Sequence, residues 1–131
     1  MATWKQLESA AQQAMGNSHC PYSEFPVGAA VETESGDIFA GANVENRSFP
    51  LTVCAERSAI QAAVSAGHRV IRRAVVITDT TPPAPPCGAC RQVLAEFADD
   101  VEIRLINLSG ERAEYSLREL LPLRFKLPGH S

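Results

Sequence analysis

The chain has 131 residues, of which 45% are hydrophobic, and a net charge of −3 from 12 basic and 15 acidic side chains. A length of 131 predicts one domain over residues 1–131, large enough to bury a core without disulfides. Only Arg69, Arg72 and Arg73 cluster and no stretch approaches a membrane span, so the sequence argues against both a nucleic-acid partner and a membrane.

The opening MATWKQLESAAQQAM lacks the apolar centre of a secretory leader, which gives the expectation of a cytosolic protein. From Thr3 to about Asn17, Trp4, Leu7, Ala10, Ala11, Ala14 and Met15 recur at helical spacing. The period then changes. Val27 to Glu32 and Ile38 to Val44 read as strands, joined by a hairpin turn at Glu34-Ser35-Gly36-Asp37. A helix from about Cys54 to Ala66 carries Ala55, Ala59, Ile60, Ala62, Ala63 and Val64 on an apolar side and stops at Gly67. Val70 to Thr78 is the most apolar strand. The stiff PPAPP run after it cannot be helical and sets the entry of a second helix at Cys87. The order helix, strand, helix suggests a parallel core.

Val101 to Leu108 is a further strand, Ser109-Gly110-Glu111 a tight turn and Ala113 to Ser116 its partner. Three residues cannot carry a parallel crossover, so the last two strands form an antiparallel hairpin. The expected architecture is α/β: a three-layer αβα arrangement around a five-stranded mixed sheet.

Chemistry concentrates in two segments, Cys54-Ala55-Glu56 and Pro86-Cys87-Gly88-Ala89-Cys90. Cys87 and Cys90 lie one helical turn apart, and helix N-termini stabilise thiolates. A structural zinc site takes four protein ligands, whereas a catalytic one keeps three and leaves a position for water. Cys54, Cys87 and Cys90 supply three, and Zn²⁺ is the expected cofactor. Three thiolates around Zn²⁺ leave one net negative charge, which calls for a neighbouring cation. Arg57 follows Cys54 by three residues and Arg91 follows Cys87 by four, so each can return to a sulfur-bearing face; Arg57 is the better placed. Glu56, beside the metal and not a ligand, suits general acid and base work.

Other readings compete. A lone CxxC can be a redox pair, although Cys-x-Glu and the preceding proline argue against it here. A structural zinc knuckle would need Cys20, His19 or His68 as fourth ligand, and the two histidines do not stand at ligand spacing. Cys20 then reads as a free thiol. Phe25 reads as plain core as readily as a binding residue, Asn43 and Glu45 as turn residues, and Phe125 as an exposed or core hydrophobe.

The chain resembles the cytidine deaminases. The likeness is carried by residues 21–30 (PYSEFPVGAA), 41–46 (GANVEN), 54–57 (CAER), 86–92 (PCGACRQ) and 119–122 (ELLP). Short length and an all-cysteine ligand set resemble the small homotetrameric branch. The resemblance implies hydrolytic deamination of cytidine and 2′-deoxycytidine to their uridine counterparts in pyrimidine salvage, with water attacking C4 at the metal. It implies that Cys54, Cys87 and Cys90 bind zinc and that Glu56 shuttles protons to N3 and the leaving amine. Phe25 would pack on the base, Asn43 and Glu45 hold the ribose hydroxyls, the Ala55 N–H meet the base carbonyl, and the Pro86 carbonyl accept from the exocyclic amine. Phe125 would reach into a neighbouring subunit's site, and the terminal hairpin matches enzymes acting on free nucleosides. Many relatives carry a small residue at the place of Arg47 and a tyrosine at that of Phe49, which leaves substrate preference open. Two further readings stand beside this one: a deaminase of a modified cytosine nucleoside, and a non-catalytic zinc-stabilised binding module, which would need no Glu56.

Overall fold

Thr3 caps the first helix reciprocally in the computed structural model, which describes residues 1–129: its hydroxyl accepts from the Gln6 N–H while the Gln6 side chain takes the Thr3 N–H. Helix α1 (Trp4–Met15) buries Leu7, Ala11 and Met15, so the helical period seen in the sequence is the side that packs. Strands β1 (Val27–Thr33) and β2 (Ile38–Ala42) form the expected hairpin, with Gly36 in the left-handed conformation its turn requires.

A short 3₁₀ turn at Phe49–Leu51 precedes α2 (Ala55–Ser65), followed by β3 (Ile71–Thr78) and α3 (Gly88–Phe97). Strands β4 (Glu102–Asn107) and β5 (Arg112–Ser116) close the sheet, and a one-turn helix α4 (Leu117–Leu120), capped by Ser116 and Glu119, was not foreseen.

The sheet order is β2-β1-β3-β4-β5. β3 and β4 are parallel, with α3 as their crossover, while β1 runs antiparallel to both β2 and β3, and β4 to β5. The parallel core expected from the order of elements is therefore one pair, because the β1–β2 hairpin reverses the chain before α2 returns it to β3.

Alternation along the strands divides the core in two. Ala29, Val31, Val76, Ile103 and Leu105 meet α2 and α3, including Ala59, Ile60, Ala63 and Leu94. Ala30, Val75, Ile77 and Ile106 meet Leu7, Ala11 and Met15 of α1. These are the three layers. Two glycines let helices sit directly on strands: a Cβ at Gly28 would lie 2.1 Å from the Ala11 carbonyl oxygen, and one at Gly41 would lie 2.5 Å from the Ala59 nitrogen.

Ion pairs line the α1 side. Arg73 and Arg104 both stack on the Trp4 ring, at 4.7 and 4.3 Å from its centroid. Arg73 pairs with buried Glu32 at 2.9 Å; Glu8 pairs with Arg104 at 2.9 Å and with Arg112 at 2.7 Å. Among the described residues, no helix is long and apolar enough to cross a membrane.

Candidate metal centre and active site

Cys54 and Cys87 are the N-cap residues of α2 and α3, a residue outside the helices that sequence spacing had them open. Neither side chain caps its own helix, so both sulfurs stay free to face the cluster while the first-turn N–H groups favour their negative charge. Cys90 is one turn into α3 and fully buried.

The sulfurs of Cys54, Cys87 and Cys90 all lie within 4.8 Å of one another, those of Cys87 and Cys90 3.4 Å apart. Three sulfurs at zinc–thiolate bond length on a tetrahedron are separated by about 3.8 Å. The donor set and its spacing therefore fit zinc with a fourth position left over. No other group of three metal-ligating side chains gathers in this way among the described residues.

Hydrogen bonding from the Cys90 thiol, helped by Arg57, lowers the Cys54 pKa to about 5, while the same bond and burial push Cys90 upward. The Arg57 Nη2 donates to the Cys54 sulfur at 3.6 Å and to the Thr52 carbonyl at 3.2 Å.

Arg91 lies elsewhere. Its Nε donates to the Pro86 carbonyl and its Nη1 to the Leu120 carbonyl, both at 2.8 Å. Helical spacing suggested a role in charge balance for it, and the donors of its guanidinium fork are engaged by two backbone oxygens. Spacing gave the helix face but could not reveal a competing carbonyl from residue 120.

Glu56, in the first turn of α2, is 6% exposed, and burial raises its pKa, with the neighbouring Cys54 charge acting in the same direction. Ala55 is buried beside it, and Pro86 is buried immediately before Cys87.

Residues 43–45 are tied to the metal cluster through the backbone. Val44 exchanges two 2.9 Å hydrogen bonds with Val53, the residue before Cys54, while His19 brackets the same segment through the Asn43 carbonyl and the Glu45 N–H. Asn43 and Glu45 are both buried. They are not ordinary turn residues: Asn43 accepts from the Val27 N–H at 2.9 Å and donates to the Phe25 carbonyl at 2.8 Å. The Glu45 carboxylate accepts from the Tyr22 and Ser23 N–H groups at 3.1 Å and from the Ser23 hydroxyl. Although desolvation opposes it, these donors hold the Glu45 carboxyl below its ordinary pKa.

Phe25 is 40% exposed, which removes the reading of a core aromatic. Its N–H donates to the Ser23 hydroxyl, and Glu24 before it adopts φ 55°, a strained conformation for a non-glycine residue that turns the loop. Sequence reasoning gave Ser23 no role, although it stands within the Pro21–Ala30 stretch; its hydroxyl links the Glu45 carboxylate to the Phe25 backbone. Phe125 is 69% exposed and does not approach this chain's core, while Arg47 and Phe49 are exposed beyond the sugar-binding candidates. Cys20 is a free thiol near the Ser18 hydroxyl.

A mixed five-stranded sheet that sets three thiols and a buried carboxyl at two helix N-termini defines an α/β protein with a metal-dependent active site. The family described as "Cytidine and deoxycytidylate deaminase zinc-binding region" matches residues 1–104. A cytidine deaminase of Halalkalibacterium halodurans is 47% identical over 114 residues, covering 86% of each chain. One from Sporosarcina psychrophila is 43% identical over 122 residues, 92% of this chain and 90% of the relative. The crystal structure of cytidine deaminase from Burkholderia pseudomallei superposes with a TM-score of 0.91 at 42% identity, covering 95% of this chain and 100% of that one. The chain belongs to the cytidine and deoxycytidylate deaminase family, and its metal is zinc.

Proposed function

We propose that residues 1–131 act as one domain that hydrolyses cytidine and 2′-deoxycytidine to uridine and 2′-deoxyuridine, releasing ammonia. The observation that carries this reading is the juxtaposition of a buried Glu56 carboxyl with three sulfurs spaced for zinc. When bound by Cys54, Cys87 and Cys90, zinc supplies Lewis-acid chemistry that brings the pKa of a water toward neutrality.

The remaining steps belong to the chain's own groups. Water adds at C4 of the pyrimidine, a proton passes through Glu56 to N3, and a later proton goes through the same carboxyl to the amine, which departs as ammonia while the C4 carbonyl forms. A carboxyl with a raised pKa can both take and give a proton near neutral pH. The Ala55 N–H binds the base carbonyl, the Pro86 carbonyl accepts from the exocyclic amine, and Phe25 packs on the ring. Asn43 and Glu45 retain an N–H and carboxylate lone pairs for sugar hydroxyls. Arg57 offsets the excess thiolate charge that would otherwise blunt the metal.

Zinc bound by reduced cysteines suits a cytosolic enzyme of pyrimidine salvage. Exposed Phe49, Leu51, Leu123, Phe125 and Leu127 support a homotetramer in which Phe125 completes a neighbour's site. Light scattering that returned a monomer would remove that part of the reading. The names of the relatives at 43–47% identity favour cytidine over a modified nucleoside, and Glu56 is unexplained by a binding module without turnover. The deciding experiment follows the ultraviolet change as cytidine becomes uridine; zinc-loaded protein that leaves cytidine untouched would overturn the assignment.

A further inference from the structure

We infer that Arg91 is a positioning residue that holds the Pro86 carbonyl at the place where the leaving amine is recognised. The inference rests on the proposed contact between that carbonyl and the exocyclic amine, and it adds how the contact is fixed.

Pro82, Pro83, Pro85 and Pro86 have no backbone N–H, so the segment leading into α3 cannot secure itself by donating along its own backbone. Within it, the Ala84 N–H donates to the Thr78 hydroxyl at 3.0 Å, which fixes the near end of the segment to β3. The far end, at the cluster, is fixed by the Arg91 Nε bond to the Pro86 carbonyl at 2.8 Å. The same guanidinium donates through Nη1 to the Leu120 carbonyl at the end of α4, one of the acceptors a helix leaves without an internal partner. Two donors in a rigid planar fork set two carbonyls at a fixed separation, which a lysine ammonium on a flexible stem cannot do. A carbonyl oxygen accepts two hydrogen bonds, so the bond from Arg91 leaves one lone pair for a substrate amine and restricts where that lone pair points.

Two variants and two ligands test this. Arg91→Ala and Arg91→Lys are compared with wild type for kcat/KM on cytidine and for the dissociation constant of pyrimidin-2-one ribonucleoside, which has hydrogen where cytidine has its amine. Loss of a supporting partner of this kind predicts a fall of roughly 10- to 100-fold in kcat/KM for cytidine in Arg91→Ala. Arg91→Lys should fall by a smaller factor. Binding of the amine-free ligand should stay within about threefold, and zinc per chain should be unchanged, because a lost positioning contact acts on the amine alone. Equal losses for both ligands would make Arg91 a merely structural bolt, and zinc loss would return it to balancing thiolate charge; either result overturns the inference. If Arg91→Ala does not fold, Arg91→Lys carries the same comparison. Wild-type protein that binds zinc but leaves cytidine unchanged would instead bring down the underlying assignment, a result distinct from any variant effect.

Discussion

The two faces of the sheet use polar groups in opposite ways. On the α1 side charge is matched within the chain: Glu8 with Arg104 and Arg112, Glu32 with Arg73, and two guanidinium groups on Trp4. On the α2 and α3 side three thiols converge, neither Cys54 nor Cys87 caps its own helix, and a carboxyl is buried with a raised pKa. On the first face the carboxylates are largely neutralised by guanidinium groups of the same chain, and these networks act on stability. The second retains donors and charge that the folded chain does not satisfy, which is the condition for binding and chemistry.

If that division holds, changes on the two faces should separate activity from stability. The largest effect is expected for Glu56→Ala: kcat should fall by roughly 10³-fold, the scale of general acid and base catalysis, while zinc per chain stays at the wild-type value. Undiminished turnover in that variant would show that proton transfer runs through another group. Next comes Leu7→Ala, which empties a fully buried position under α1 and should cost about 3 kcal/mol in denaturant unfolding with kcat preserved. A large drop in kcat for the folded variant would mean that the faces are coupled.

Arg57→Ala should weaken zinc retention about 10-fold in a chelator competition, because the Cys54 sulfur loses its cation. Unchanged zinc affinity would assign charge balance to the helix N-termini alone. The smallest effect is a pH dependence. Glu8 is held at about 2 against an ordinary 4.5, chiefly by its hydrogen bond to Arg112, so the folded state resists its protonation more than the unfolded state does. The stabilisation is complete above about pH 4.5 and disappears as pH falls toward 2. Glu8→Gln should therefore flatten the acid side of the stability profile over that window and leave activity at neutral pH alone. An identical acid profile would place the acid sensitivity elsewhere, with Glu32 as the next candidate.

Much of this was readable before any coordinates, for local reasons. The start of α1 beside Thr3, its helical period, the hairpin turn at Gly36 and the short β4–β5 connection depend on residues a few positions apart, and each formed where the sequence put it. The three thiols could be read as one cluster because two helix starts and a one-turn spacing leave few ways to arrange them. What escaped depends on distant partners. Arg91 is drawn to Leu120, 29 residues along the chain, and no pattern around Cys87 carries that information. The Val44–Val53 pairing, which brings the sugar-binding candidates against Cys54, is an isolated bridge outside the five strands and has no alternating signature. Ser23 was passed over because a serine in a loop looks ordinary until the Glu45 carboxylate arrives from 22 residues away.

Gly41 has a consequence for anyone redesigning this enzyme. A methyl group there would press on Ser58 and the Ala59 nitrogen, and the helix that would have to lift carries Cys54 at its head. The reach between one sulfur and the other two is thus shimmed by a missing side chain on a neighbouring strand. Efforts to retune the metal by exchanging its ligands will meet a spacing that is set from underneath, at a position that supplies none of the three sulfurs.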